Sequence, residues 1–113
     1  MLIHGGRDHA RSWDAVAAGL ADRHRVIVPD LAGHGDSDWV SSGDYRANSY
    51  AFDIAHLISL LGYDKLALVG HSLGGNIALR VTAARPEIVT RLVSIEGIGP
   101  PPPVMAELAA MPQ

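Results

Sequence analysis

The residues best able to do chemistry lie in a glycine-rich stretch, 70–75, that reads G-H-S-L-G-G. It matches the pattern G-x-S-x-G, with Ser72 at its centre. A serine held at a sharp turn presents its hydroxyl to open space, and the flanking Gly70 and Gly74 lack side chains that would collide there. At the start of a helix, the Leu73 N–H has no partner within the helix and favours developing negative charge. The residue types therefore predict a nucleophilic serine beside an amide donor.

Apolar residues on both sides give this stretch the strand-turn-helix context that such a serine requires. Leu66–Val69 is short and continuously apolar, which is typical of a strand buried on both faces. After the glycines, apolar residues recur at helical spacing, at Ile77, Ala78, Val81 and Ala84. The pattern also fits a turn without chemistry, or a phosphate-binding turn, which the absence of a following lysine disfavours. Strand and helix together favour a nucleophile elbow.

The rest of the chain alternates between the same two kinds of element. Further strands are predicted at Leu2–Ile3, Arg25–Val28 and Leu92–Ile95. Further helices are predicted over Trp13–Asp22, with Ser12 as N-cap, and over Ser49–Leu61, with Gly62 after it. This alternation predicts an α/β fold with three layers, in which helices cover both faces of a mostly parallel sheet of about four strands. Ligands bind such sheets at the carboxyl ends of the strands.

Composition limits the possible partners. The chain has 113 residues, enough for one domain, and a net charge of −3. Few aromatic residues and no basic run mean that no nucleic acid is expected, and no apolar run reaches the roughly 20 residues of a membrane span. The six histidines include no pair at ligand spacing near a carboxylate, so no metal or cofactor is expected. Because cysteine and a signal-peptide pattern are absent, we expect a cytoplasmic protein with a small-molecule substrate.

Three motifs in register resemble the α/β-hydrolase family over residues 2–99. Residues 4–6 read H-G-G after the first strand, residues 29–37 read PDLAGHGDS after the second, and the serine motif follows the third. The resemblance implies a partial α/β-hydrolase fold in which the first strand is central and adjoins the serine strand. The loop after the first strand would then face Ser72.

The same resemblance implies roles for individual residues. The N–H groups of Gly6 and Leu73 would form the oxyanion hole. His4 would brace its own loop, and His71 would pack or hydrogen-bond beneath the serine. Asp30 and the turn after it would be structural.

The resemblance also implies a catalytic triad, in which an acid and a histidine base act with Ser72. In this family the order along the chain is nucleophile, acid, histidine, and no histidine follows His71 here. The resemblance therefore implies the central piece of a larger enzyme, truncated at both ends and lacking its general base. A subset of the family places the acid where Glu96 stands. Otherwise Glu96 is a strand-end carboxylate that pairs with backbone N–H groups, and the acid is an aspartate further downstream.

Two regions are expected. Residues 1–99 would form the partial hydrolase core, and residues 100–113 would form a proline-rich exit and the start of a cap helix, predicted over 104–111. Bare strand edges on either side of a short sheet predict self-association.

The expected function is a serine hydrolase that cleaves carboxylic esters through an acyl-enzyme. A serine at the nucleophile position argues against epoxide hydrolase and dehalogenase chemistry, because those relatives use aspartate there. It favours esters, thioesters, activated amides, or the carbon–carbon bond hydrolysis of relatives that cleave ring-fission products. Two alternatives remain open. The chain is either a catalytically incomplete fragment without its histidine, or a non-enzymatic ligand-binding module on the same fold.

Overall fold

A parallel sheet organises the computed structural model, which describes residues 1–99 and 109–110. Within these residues the sheet has three strands in the order β1-β2-β3, namely β1 (Leu2–Ile3), β2 (Leu66–His71) and β3 (Val89–Ile95). Three helices accompany it, namely α1 (Asp14–Leu20), α2 (Ala47–Leu60) and α3 (Leu73–Ala84). Short 3-10 turns, Ala10–Trp13 and Pro86–Ile88, precede α1 and β3. The predicted α/β class is confirmed.

One face of the sheet carries α2 and α3. The two helices contact each other, and α3 contacts all three strands. Leu68 of β2 and Ile77 of α3 have no exposed surface, because the apolar stripe of α3 lies directly on this face. The largest part of the core fills this layer: Ile3, Leu31, Tyr50, Ile54, Ile58, Leu68, Ile77, Ala78 and Val81.

The opposite face is only partly covered. Side chains alternate along a strand, so His71 points away from the face that Leu68 and Gly70 share. Trp13 and Val16 line a small cavity together with His71 and Ile95, which places the start of α1 on this second face. Helices therefore lie on both sides of the sheet, as predicted.

The predicted strand over Arg25–Val28 does not form, although its chain lies beside β1. The Leu2 N–H donates a 2.9 Å hydrogen bond to the Ile27 carbonyl. In a parallel ladder the return bond would come from the N–H two residues later, which is Pro29. Proline has no N–H, so the segment lies beside β1 but makes no ladder with it. The described sheet accordingly has three strands rather than about four.

The helix ends differ in part from the sequence-based bounds. Ser12 does not cap α1, because it lies inside the 3-10 turn and its hydroxyl donates to the Asp8 carboxylate instead. The second helix begins at Ala47, two residues before its predicted start. Gly62 follows α2 with φ +78°, which confirms it as the residue that ends the helix. The proline run and the predicted cap helix lie outside the described residues, apart from 109–110.

Candidate functional site

Ser72 forms a sharp corner between β2 and α3. Its backbone has φ +54° and ψ −117°, a conformation that costs a residue other than glycine about 1–3 kcal/mol. The residue is exposed, and its hydroxyl makes no capping hydrogen bond to α3. The corner therefore presents the hydroxyl to solvent at the carboxyl end of a central strand, where ligands bind in such sheets.

The glycines on either side allow the chain to approach itself closely. A Cβ on Gly70 would lie 2.1 Å from the Gly74 carbonyl oxygen, and a Cβ on Gly74 would lie 2.1 Å from the Ile3 carbonyl oxygen. Real Cβ atoms are not found at such distances from backbone, so neither position accepts a side chain. The prediction that side chains would collide at both positions is confirmed. At Gly74 the collision would be with β1, so this glycine also allows α3 to approach β1 closely.

The loop after β1 adjoins the serine corner. A Cβ on Gly5 would lie 3.4 Å from the Ser72 Cβ, and one on Gly6 would lie 3.8 Å from Leu73 Cδ2. Within the described residues, the N–H groups of Gly6 and Leu73 donate no hydrogen bond to the protein. Two unpaired amide donors therefore lie in the segments that meet at Ser72.

His4 is a buried structural histidine. The Leu31 N–H donates to its Nε2 over 3.0 Å, so Nε2 carries no proton. Nδ1 then carries the proton and donates to the Gly5 carbonyl over 2.7 Å. Burial lowers the pKa of the imidazole below its ordinary value of 6.5, although the bond to Gly5 opposes the shift. His4 thus ties the loop after β1 to Leu31, as the resemblance implied.

Asp30 and His34 hold the second loop against the first. The two Asp30 carboxylate oxygens accept hydrogen bonds from the Ala10 N–H, at 2.7 Å, and the Asp36 N–H, at 3.0 Å. These bonds lower the pKa of the Asp30 carboxyl. His34 Nε2 accepts a 3.1 Å hydrogen bond from the Arg7 N–H. Arg7 belongs to the loop after β1, so this bond joins the second loop to the first. Both side chains therefore brace the loop rather than face Ser72, as expected for Asp30.

Glu96 lies immediately after β3 and shares a cleft with Ser72. The cleft measures about 590 Å³ and is also lined by Ser94, Gly97 and Ile98. The Ser72 N–H donates a 2.8 Å hydrogen bond to the carbonyl of Ile95, the residue before Glu96. Glu96 is exposed and has φ +54°, which is unusual for a residue with a side chain. The structure thus brings the two residues predicted from the sequence to the same cleft.

Two residues near this cleft were not singled out from the sequence. Asn76, in the first turns of α3, donates from Nδ2 to the Gly97 carbonyl over 3.0 Å. The Ser94 hydroxyl is buried without a partner within the described residues, against Gly75 and Gly97. A polar side chain four residues after the serine is a visible signal, but its partner is 21 residues away and leaves no trace in the sequence.

His71 is exposed, and alternation along β2 points its side chain to the sheet face opposite α3. Among residues 1–99 no histidine nitrogen hydrogen-bonds to Ser72.

No group of three or more metal-binding side chains comes together in the part of the chain that the structure describes. None of its described helices combines the length and apolar character needed to cross a membrane.

Comparison with known proteins finds a matching family and several relatives. A family model described as "alpha/beta hydrolase fold" matches residues 1–113. An uncharacterized protein of Mycobacterium tuberculosis is 40% identical over 99% of this chain and 33% of its own length. A soluble epoxide hydrolase of a Corynebacterium species is 36% identical over 87% of this chain and 34% of its own. Further relatives carry lipase and esterase names.

Solved structures of similar fold include an esterase. The structure titled "Marine microorganism esterase" matches with a TM-score of 0.76 and 32% identity, covering 80% of this chain and 35% of the other. The chain spans about a third of the length of the relatives and structures that it matches.

Proposed function

Because the chain belongs to the alpha/beta hydrolase family, we propose that it carries the nucleophile and the oxyanion hole of a serine hydrolase acting on carboxylic esters. The observation that carries this proposal is the exposed Ser72 at φ +54°, held at a strand-to-helix corner against the loop after β1. A strained corner of this kind persists only where the surrounding structure holds it, and such corners cluster at functional sites.

In the proposed reaction, the Ser72 Oγ attacks the ester carbonyl carbon while its proton passes to a general base. The tetrahedral intermediate then loses the alcohol, which takes that proton, and an acyl group remains on Oγ. Water gives a proton to the same base and attacks the acyl carbon; the base then returns that proton to Oγ as the carboxylic acid leaves and the free serine is restored. The base is a histidine contributed by polypeptide outside these 113 residues.

The N–H groups of Gly6 and Leu73 are the proposed donors to the oxyanion. Both are unpaired within the described residues, and they lie in segments that contact each other. Leu73 is the first residue of α3, so the helix dipole adds to the stabilisation of negative charge there. A single donor of this kind is typically worth about 3 kcal/mol in the transition state.

Glu96 is the proposed triad acid, which would orient the histidine and stabilise its charged form. Its place in the same cleft as Ser72 supports the assignment. Within the described residues its carboxylate accepts no hydrogen bond from the protein, which disfavours the alternative of a strand-end carboxylate paired with backbone N–H groups.

Esters are the proposed substrate class, since a serine nucleophile acylates readily and relatives include proteins named as esterases and a lipase. The soluble epoxide hydrolase among the relatives does not change this assignment. Enzymes of that chemistry use an aspartate where this chain has Ser72.

The test is labelling with a fluorophosphonate, on this chain and on the longest natural gene product that contains it. Labelling at Ser72 that is lost in Ser72→Ala and kept in Ser41→Ala, an exposed serine in the second loop, supports the proposal. If neither protein is labelled at Ser72, the proposal is wrong.

A second candidate function is a module that is inactive until further polypeptide supplies the base. The observation that favours it is the lack of any histidine bond to Ser72 within residues 1–99. Labelling of the longer product alone would support this candidate, whereas labelling of the 113-residue chain at the same rate would exclude it.

A further inference from the structure

One residue, Asn76, bonds to both sides of the cleft. Its backbone N–H donates to the Ser72 carbonyl over 3.0 Å, and its Nδ2 donates to the Gly97 carbonyl over 3.0 Å. Together with the bond from the Ser72 N–H to the Ile95 carbonyl, these contacts close a ring that contains both Ser72 and Glu96. The relative position of the two proposed catalytic residues therefore depends on this ring.

Arg80 determines which way the Asn76 amide points. Its Nε donates to Asn76 Oδ1 over 2.6 Å. A guanidinium only donates hydrogen bonds and the Gly97 carbonyl only accepts them. Because one neighbour needs an acceptor and the other needs a donor, a single orientation of the amide satisfies both.

Arg80 is itself held by α2. Its Nη1 donates to Asn48 Oδ1 over 2.6 Å, across 32 residues of sequence. The bonds from Asn48 through Arg80 to Asn76 thus form a continuous chain from the first turn of α2 to the segment after β3. Hydrogen bonds from a charged donor are stronger than those between neutral groups, so this chain gives the Asn76 amide a firm anchor on the far side from Gly97.

The turn that receives the Asn76 bond has little room to adjust. A Cβ on Gly97 would lie 2.1 Å from Ser94 Oγ and 2.9 Å from the Asn76 backbone nitrogen. Glu96 has φ +54°, a conformation that its own side chain disfavours. A turn that is both tightly packed and locally unfavourable needs an outside contact to hold it.

We propose that Asn76 is a positioning residue, which together with Arg80 holds the Glu96–Gly97 turn so that the Glu96 carboxylate stays in the same cleft as Ser72. This inference rests on the proposed function, since it gives the turn a purpose in catalysis. Loss of the Asn76 donor frees the turn without altering the cleft surface. It therefore slows the chemical step and leaves binding of the reagent unchanged.

The test compares two isosteric substitutions in the same hydrogen-bonded chain. Asn76→Asp keeps the acceptor for Arg80 but replaces the donor to Gly97 with an oxygen that repels the carbonyl. We expect hydrogen exchange of the Ser72 amide to become about tenfold faster. Labelling is measured on whichever protein reacts with the fluorophosphonate, the 113-residue chain or the longer gene product. We expect its limiting labelling rate to fall about tenfold. The reagent concentration that gives half of this rate should stay within about twofold of the value for the unsubstituted protein.

Asn48→Asp is the matched control. It makes the same chemical change on the same chain of bonds but keeps the acceptor that Arg80 uses, so exchange and labelling are expected to stay unchanged. Equal effects of the two substitutions would assign the result to added charge and overturn the inference. Unchanged exchange of the Ser72 amide in Asn76→Asp would overturn it as well, even where Ser72 is labelled.

A global loss of structure is recognised by the Val69 amide, which lies in the middle of β2 and donates to the Met1 carbonyl on β1's side of the sheet. If Asn76→Asp accelerates exchange there too, Arg80→Met decides instead, because it leaves Asn76 intact but removes its anchor. About threefold faster exchange of the Ser72 amide alone supports the inference, and an unchanged rate overturns it. Absence of labelling in the unsubstituted protein overturns the proposed function, while exchange still reports whether Asn76 holds the turn.

Discussion

The Ser72 N–H donates a 2.8 Å hydrogen bond to the Ile95 carbonyl, which joins the corner after β2 to the last residue of β3. Glu96 follows Ile95 directly, so this one backbone bond limits how far the two proposed catalytic residues can separate. Gly5 contacts the same corner from the loop after β1. Three stretches that are far apart in the sequence therefore meet around one serine.

Gly74→Ala is expected to destabilise the fold by about 3 kcal/mol or more, since overpacking against unyielding backbone lies at the upper end of such costs. The added Cβ would lie 2.1 Å from the Ile3 carbonyl oxygen. Urea denaturation followed by circular dichroism measures the change.

Gly19→Ala is the matched control for that substitution. Gly19 lies in α1, and nothing is found within 4 Å of a Cβ placed there. The same change should stabilise the protein by about 0.5–1 kcal/mol, because alanine favours helix over glycine. A loss of stability in Gly19→Ala comparable to that in Gly74→Ala would contradict the close-approach argument.

The buried His4 should make stability depend on pH. Its pKa is lowered in the folded state, so the unfolded chain binds the proton more readily. Its contribution is full above the unfolded value of 6.5 and is lost as the pH falls from there towards the folded pKa. The free energy of unfolding, measured by urea titration from pH 7.5 to 5, should therefore decrease over this range.

His4→Gln should flatten that pH dependence and lower stability at pH 7.5 by about 1–3 kcal/mol, because at least one buried hydrogen bond is lost. His24→Gln is the control, since His24 is exposed. If the pH dependence survives in His4→Gln and disappears in His24→Gln, the assignment to His4 is wrong.

Asp30→Asn should weaken the contact between the two loops at the carboxyl end of the sheet. An amide offers one acceptor oxygen where the carboxylate offers two, so either the Ala10 or the Asp36 N–H loses its partner. We expect a loss of about 1–2 kcal/mol in thermal or urea unfolding. Asp38→Asn, at an exposed position in the same loop, should change stability by less than about 0.5 kcal/mol.

We propose that the chain self-associates through β3, which has a strand neighbour on one side within the described sheet. Val93 on this strand is 50% exposed. Val93→Lys should reduce association in sedimentation velocity experiments, because charge on an edge strand opposes pairing with another chain. Leu60→Lys removes an exposed apolar residue from α2 and should leave association unchanged. A monomeric parent protein would contradict the proposal.

The cytoplasmic location expected from the sequence stays a prediction.

Local features of this protein could be predicted from its sequence because their causes are local. The serine corner, its two close-packed glycines and the glycine after α2 all follow from which residue types can occupy tight backbone. The alternation of apolar runs predicted the α/β layers because burial imposes a period on each element. A family resemblance then linked Gly6, Leu73 and Glu96 to the serine, and the structure brings their segments together.

What only the tertiary structure decided concerns partners that are distant in sequence. Pro29 prevented a predicted strand because the missing N–H was the one that β1 needed, and a pattern of apolar residues cannot show which N–H a neighbour requires. The Asn76 side chain donates to the Gly97 carbonyl, which lies 21 residues away in the sequence. A side chain with several possible partners takes the one that the packed fold brings within reach, and its own sequence neighbours do not determine which one that is.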